Sequence, residues 1–392
     1  MVSTVAIVGA GPAGSSLAIR LAEEGFGVTL IEREKFPRQK LCGEFISPEC
    51  LAHFDALGVA DRMLASGGDR ISETIFYERG GRHVTIPSEW FGSSGALSLS
   101  RAQMDLCLLD RAREVGVEVR EETRTADIVR AGNNISGIRV RNKNRAEEAI
   151  SADLFIDATG RSAALQKLVA KAEDSTPRKN IRPPFVAFKT HLRGVELDRG
   201  RCEIYSFPGG YGGLSYVEGG VANFCFLMKA ETARKYGGKA DPILSDLILS
   251  NNRAAVTLRN AAPVFEWLAV TVDKFGRKEL CPAPNLLTVG DAAAFIDPFT
   301  GSGMLLAFET AEVLGGAIVE NRTNLQAIGA SYQRSFDKKF SSRLSTSGLI
   351  RYVAFTPSLA AAAIRLLNTS SWARAFLTRA TRQTFSISPD EG

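Results

Sequence analysis

Three groups of residues carry chemistry by type and spacing. Gly9-Ala10-Gly11-Pro12-Ala13-Gly14 is a GxGxxG run placed between a strand pattern and a helix pattern. Gly9 permits a tight turn, Gly11 lets the backbone approach a pyrophosphate, and Gly14 lets helix and strand pack closely, so a diphosphate meets the helix N-terminus. Glu32, at the end of the next strand, is placed to accept a ribose hydroxyl. Far along the chain, Gly290-Asp291 is followed by Pro298 and then by Gly301-Ser302-Gly303-Met304. Asp291 can accept hydrogen bonds from a polyol, and amides at a glycine-rich helix start can face an electron-rich ligand edge. Cys42-Gly43-Glu44 sets a thiol and a carboxylate on one short segment.

The elements that must position these groups are legible in the periodicity. Thr4 to Val8 is an apolar β-branched run, 15–24 has helical spacing and 28–31 returns to strand character, which makes a βαβ unit. Residues 48–65 read as helical, 71–99 as strands turning at Gly80-Gly81, 101–115 as a helix, 117–119 as a strand, and a hairpin follows at Gly132-Asn133-Asn134. From 176 to 272 the pattern is short and alternating, with turns at Pro208-Gly209-Gly210 and Glu218-Gly219-Gly220, as in an antiparallel sheet. Residues 286–320 read as strand, glycine-rich turn and helix. The last sixty residues read as helical, interrupted at Pro357.

The fingerprint alone does not separate a nicotinamide from a flavin dinucleotide; the second glycine-rich helix start does. Reduced flavin is anionic along one edge, and a helix N-terminus there favours reduction. The chain resembles the flavoproteins of the aromatic hydroxylase fold, and within them the geranylgeranyl reductase-like branch, related to flavin monooxygenases and flavin-dependent halogenases. The resemblance covers roughly residues 1–330. It is carried by the fingerprint, Glu32-Arg33, Cys42-Gly43-Glu44, Arg101, Asp157-Ala158-Thr159-Gly160 and the run from Gly290 to Gly301. It implies FAD as cofactor, with Glu32 at the adenosine ribose, Arg33 beside it, Arg101 near the pyrophosphate or ribitol, the Thr125 backbone at the adenine, Gly160 close to the diphosphate and Asp291 at the ribitol.

The expected fold is α/β. A discontinuous Rossmann-like FAD-binding domain (1–75, 98–175 and 273–330) holds an inserted antiparallel β-sheet substrate domain (76–97 and 176–272), and a helical C-terminal segment (331–392) follows. Cys42 either gives a proton or tunes the flavin, or it is a small buried hydrophobe. Glu44 either acts in the chemistry or is held by a backbone amide or an arginine. Thr159 stands where many aromatic hydroxylases of this fold have an aspartate, which weighs against the standard NADPH-using hydroxylase. Tyr211, in Pro208-Gly209-Gly210-Tyr211, is either a pocket wall or an ordinary sheet aromatic. Gly213 replaces the aromatic residue that prenyl reductases have two positions later.

Composition bounds the rest. The chain has 392 residues and 45% hydrophobic content, enough for two or three domains. Six scattered cysteines and three histidines offer no metal or disulfide framework, so the chain reads as cytoplasmic. The net charge of +5 sits in the tail, where residues 331–392 hold nine Lys or Arg against three acids. That tail is a solvated helical face, a cap on the substrate cavity, or a contact with the inner face of an anionic membrane; no nucleic-acid pattern is present. One fingerprint rather than two means that NAD(P)H visits transiently or a reductase partner supplies electrons. The leading expectation is hydride transfer from flavin N5 to a C=C or quinone-like bond of a hydrophobic, isoprenoid- or polyketide-like molecule. The alternative is a monooxygenase using a C4a-hydroperoxide. A halogenase is disfavoured by the absence of a WxWxIP motif and of any lysine between Phe45 and Ser100, and a non-catalytic FAD-binding protein is the remaining class.

Overall fold

The computed structural model describes residues 1–91, 95–172, 183–273, 275–355 and 357–369. The β-branched run Thr4–Val8 is the central strand of a five-stranded parallel sheet. Gly27–Ile31 and Leu154–Asp157 flank it, with Glu118–Arg120 and Leu286–Thr288 at the edges. Val5 pairs with Leu154 and Phe155 with Leu286, partners far apart in the chain, so the unit is discontinuous in sequence.

Both faces of this sheet are apolar, as a covered parallel sheet requires. Val5 and Ile7 point to a layer made by the helices Pro12–Glu23, Arg101–Glu114 and Gly303–Glu320. Ala6 and Val8 point to the antiparallel meander Thr123–Ala131, Asn134–Asn142 and Glu147–Ile150, where Ile128, Ile138 and Val140 meet them. Gly9 leaves the first strand at φ +105°, and a Cβ there would lie 2.3 Å from the Ala158 carbonyl oxygen. At Gly14 a Cβ would lie 1.9 Å from the Gly9 oxygen. Only glycine lets the turn and the helix close up in this way.

The second sheet has eight strands. Its order runs Ala262–Pro263, Phe185–Arg193, Ala222–Lys229, Gly210–Tyr216, Arg201–Phe207, Glu73–Tyr77, His83–Pro87, with Leu268–Val272 also on Phe185–Arg193. It is antiparallel except where Arg201–Phe207 pairs with Glu73–Tyr77. Glu73–Tyr77 crosses the boundary expected between 75 and 76 and belongs whole to this sheet, because the preceding strand Asp69–Ile71 turns away to pair with Ala96–Ser98.

The mostly alternating pattern expected over 176–272 is broken at 230–257, which forms the helices Ala230–Lys235, Ala240–Asp246 and Asn252–Thr257. Phe188, Tyr205, Leu214, Phe224 and Phe226 line the outer face of the sheet, and these helices cover it. Asn251 starts the third helix by accepting from the Arg253 and Ala254 amides.

The chain continues as helices Leu325–Ala354 and Pro357–Thr369. The last of these lies on the edge strand His83–Pro87. Ile364 and Leu367 pack on Val84, Ile86 and Phe76, and Asn368 Nδ2 donates to the His83 oxygen at 2.8 Å. Among the described residues no helix is long and apolar enough to cross a membrane. Residues 370–392 of the arginine-bearing tail, and 176–182 of the expected substrate segment, lie outside the described residues.

Candidate functional site

The fingerprint helix begins at Pro12 with Gly11 as its extended N-cap, and the amides of its first turn, at Ala13 and Gly14, have no helical acceptor. Above Gly11 the nearest atom to an added Cβ would be Arg101 Nη2 at 3.7 Å. A helix N-terminus and a guanidinium therefore converge on one point, the setting an anionic diphosphate needs. Arg101 reaches there from the start of its own helix and is held by Asp105, Nε to Oδ1 and Nη2 to Oδ2, both at 2.8 Å. Burial opposes its charge, but Asp105 and then the Cys42 sulfur hold it above its ordinary value.

Asp105 also accepts from Arg38 Nη1 at 3.0 Å, and Arg38 faces Glu32 at 3.6 Å. Glu32 closes the second strand as expected, and its carboxylate ties the fingerprint loop by accepting from the Ala10 and Glu34 amides at 3.0 Å each. Its remaining lone pairs are available to a ribose hydroxyl. Arg33 is not brought into this cluster; it is half-exposed and pairs with Glu34. Lys40 belongs to the same bed of cations. Desolvation by the surrounding protein, then Arg38 and Arg101, lower it to about 8, although the residue itself is exposed. Thr125 lies on the meander, two residues beyond the Thr123 amide that donates to the Glu32 backbone oxygen.

The distant motif folds back onto the fingerprint. Gly290 packs so tightly that a Cβ would lie 2.8 Å from the Ala13 Cβ, which places Asp291 beside the first helix. Burial pushes the Asp291 carboxyl up, against the pull of Arg161 and Lys278. Asp297 then caps a short turn at Pro298 by accepting from the Phe299 amide at 2.9 Å, Gly301 turns at φ +63°, and the helix Gly303–Glu320 starts after Ser302 with Met304 buried. Gly160 follows Asp157, whose carboxylate accepts from the Thr159 hydroxyl at 2.6 Å and the Gln166 amide at 3.0 Å. Thr159 thus helps to start the helix Ala164–Ala172.

These residues fit an extended dinucleotide. At Gly43, Gly160 and Gly303 no atom lies within 4 Å of where a Cβ would stand, so three loops present open backbone. The Thr125 hydroxyl is buried with no partner, and the Asp291 carboxylate carries a desolvation penalty that a polyol hydroxyl would relieve. Glu32, Arg101, Thr125, Asp291 and the two helix starts would hold the adenosine, diphosphate and ribitol of FAD, with the flavin ring beyond Gly303.

Residues 2–324 match the FAD binding domain family. The chain belongs to it. FAD is its cofactor, and its relatives are enzymes. A digeranylgeranylglycerophospholipid reductase of Methanosarcina mazei is 26% identical over 326 residues, 81% of this chain and 75% of the relative. A geranylgeranyl bacteriochlorophyll reductase-like protein from Thermoplasma acidophilum has the same fold, with a TM-score of 0.78 at 18% identity over 97% of both chains. The myxobacterial chondrochloren halogenase shares it too, with a TM-score of 0.75 at 22% identity over 90% of this chain and 82% of that one. This FAD-dependent oxidoreductase family therefore spans several reactions on one scaffold.

Beside the Arg101 helix start, Cys42 is partly exposed, and its sulfur accepts from the Glu44 amide at 3.4 Å within reach of the Arg101 guanidinium. Glu44, for which the sequence leaves open a chemical role or a hold by a backbone amide or an arginine, has no exposed surface. One oxygen accepts from the Arg101 amide at 2.8 Å and from Lys189 Nζ; the other accepts from His191 Nε2 at 2.8 Å. Although burial opposes it, the His191 hydrogen bond and the Lys189 charge hold the Glu44 carboxyl below its usual range. Glu44 is therefore a tie between elements, with both oxygens engaged.

Tyr211 is buried in an aromatic cluster between the large sheet and the flavin-side loop. Its ring meets Phe299 and Phe355 edge to face, and Phe355 in turn meets Phe185, which meets Phe275, which stacks on Phe295. Leu41, next to Cys42, packs on the same cluster.

The sequence offers no metal framework for its three histidines, His191 among them, and the lysine of interest was sought only between Phe45 and Ser100. The fold brings both groups to Glu44 from the sheet strand Phe185–Arg193. The signal was present as two polar residues, Lys189 and His191, at strand spacing on one face of an apolar run. Arg38 and Asp105 were missed because their meaning depends on Arg101 lying across from them.

Proposed function

We propose that this enzyme reduces a polarised C=C or quinone-like bond in a hydrophobic, ring-bearing or isoprenoid molecule, with NAD(P)H or a reductase partner as electron source. The observation that carries the reading is the position of the aromatic cluster. Tyr211, Phe295 and Phe299 lie between the large sheet and the loop that opens the flavin-side helix, and Leu41 joins them to Cys42. FAD, once reduced, supplies a hydride to one carbon of such a bond. The other carbon needs a proton, which the partly exposed Cys42 thiol can give, with Arg101 beside it to offset the charge left on sulfur. The aromatic cluster excludes water and orients an apolar substrate.

Lys189 does not favour halogenation. It is fully buried with its donors engaged by Glu44, the Lys40 carbonyl at 3.0 Å and Gln39 at 3.4 Å, so its amine is closed to a small oxidant. The test is anaerobic mixing of the FAD-loaded enzyme with NADPH or NADH, followed by prenyl or polyketide candidates. Bleaching of the flavin and anaerobic product formation support reduction. Product that appears only with oxygen, in step with its uptake, points to a monooxygenase and returns Cys42 to a packing role. Product that also requires a halide points to a halogenase. The protein is expected in the cytoplasm, at most peripheral to a membrane, and fractionation of cells into soluble and membrane-bound protein tests this.

A further inference from the structure

We propose that Lys189, His191 and Asn223, on the inner face of the large sheet, are positioning residues that hold the Cys42-Gly43-Glu44 segment and the start of the Arg101 helix in register for FAD. It rests on FAD binding alone, not on which reaction the flavin performs.

The three side chains share one face of paired strands, since Lys189 is opposite Cys225 and His191 opposite Asn223. Lys189 Nζ reaches Glu44 Oε1 and the Lys40 carbonyl, His191 Nε2 reaches Glu44 Oε2, and Asn223 Nδ2 donates to the Cys42 carbonyl at 3.2 Å. The segment from residue 40 to 44 is thus clasped at three points by the sheet. Its outer side, at Gly43, faces open space. Glu44 itself stands at φ +55°, a left-handed conformation that a glutamate adopts only under compensation. Three donors to its carboxylate supply that compensation, and the third is the Arg101 amide at 2.8 Å. The same helix start is bound to the sheet a second time, where the Ser100 amide donates to Glu218 Oε2 at 3.0 Å. Through Glu44 the sheet therefore fixes both the loop beside the flavin and the backbone from which the diphosphate-binding guanidinium springs.

A lysine and a glutamate with no exposure are a costly way to hold a loop unless the geometry matters. Apolar residues of similar size give equal or better stability than a buried ion pair, whereas removal of one partner strands the other charge. This contrast provides the test. In the full-length protein, Lys189→Met with Glu44→Gln removes both charges together, and Asn223→Ala removes the Cys42 tether without touching a charge. Glu44→Gly, made throughout together with Lys189→Met so that no buried charge is stranded, relieves the backbone and removes the carboxylate.

The readouts are FAD affinity by fluorescence quenching, the position of the visible flavin absorption bands, the flavin midpoint potential and the melting temperature of the FAD-free protein. The expected result is that the double variant melts near the wild type, yet binds FAD roughly tenfold or more weakly with shifted bands and potential. Asn223→Ala is expected to shift the same readouts by a smaller factor, and Glu44→Gly is expected to lose FAD despite its easier backbone. Wild-type affinity, spectrum and potential in a well-folded double variant and in Asn223→Ala would overturn the proposal and leave the cluster a purely structural ion pair. If the double variant fails to fold, Asn223→Ala and Lys189→Arg decide: unchanged flavin properties in both overturn it, and a shift in the first with recovery in the second supports it.

Discussion

The Tyr211 hydroxyl donates to Asp297 Oδ1 at 3.0 Å, a buried bond that joins the strand Gly210–Tyr216 of the large sheet to the loop ahead of the flavin-side helix. Asp297 uses the same oxygen to hold the Phe299 amide. Tyr211→Phe keeps the ring and its aromatic contacts but removes this link. A buried hydrogen bond to a carboxylate contributes about 1.5–3 kcal/mol, so the melting temperature should fall by several degrees. FAD binding should persist, while KM for an apolar substrate rises because the loop and the aromatic cluster lose their shared register. A steady-state comparison with a matched FAD titration checks this.

Asp291 should trade stability against cofactor binding. Burial raises its carboxyl above the ordinary 3.8, so the folded FAD-free protein loses stability as pH rises from about that value through the folded pKa and the buried group takes up its charge. Asp291→Asn removes the buried charge. At neutral pH the FAD-free variant should melt at or above the wild type, while its FAD affinity drops by about tenfold for loss of a charge-assisted bond to the ribitol. A lower melting temperature in the FAD-free state would show that the carboxylate already has a stabilising partner.

FAD affinity should depend on pH near Lys40. In the free protein desolvation, Arg38 and Arg101 bring this lysine down to about 8; a bound diphosphate adds negative charge and restores the protonated form. Binding is then tightest below about 8 and weakens as pH rises through that value. Lys40→Met should flatten the profile between pH 7 and 9, measured by flavin fluorescence quenching at constant ionic strength.

Glu44 predicts the acid limit. Its carboxyl is held below the ordinary 4.5 by His191 and Lys189, so its contribution is complete above that value and disappears as pH falls through the folded pKa. Flavin should be released on acidification below 4.5 as Lys189 loses its counter-charge. In the double variant Lys189→Met, Glu44→Gln this step should be absent from the pH titration of bound flavin fluorescence.

The parallel sheet, the helix layer and the two glycine-rich helix starts were legible because each is a local pattern: a β-branched run at Thr4–Val8, a fingerprint with one meaning for each glycine, and a second helix start after Gly301. The cover of the outer sheet face by residues 230–257 was not, since those short helices have weak periodicity and form where Phe188 and Phe226 demand burial. The Glu44 cluster was half legible. The sequence alternatives for Glu44 included a backbone amide, and the Arg101 amide is one of its donors. Lys189 and His191, about 150 residues away in the chain, become its partners only when the two sheets dock, and no spacing rule encodes that distance.

The last described helix, Pro357–Thr369, covers a sheet edge that would otherwise be open to self-association. The strand His83–Pro87 ends the eight-stranded sheet, and an uncovered terminal strand is a template for pairing with another copy. Ile364 and Leu367 shield its apolar side chains, and Asn368 occupies the His83 carbonyl. Shortening the chain at 356 would therefore do more than remove a tail: it would leave a ragged β-edge able to recruit further molecules, and sedimentation of such a fragment with vesicles would report aggregation rather than affinity for lipid.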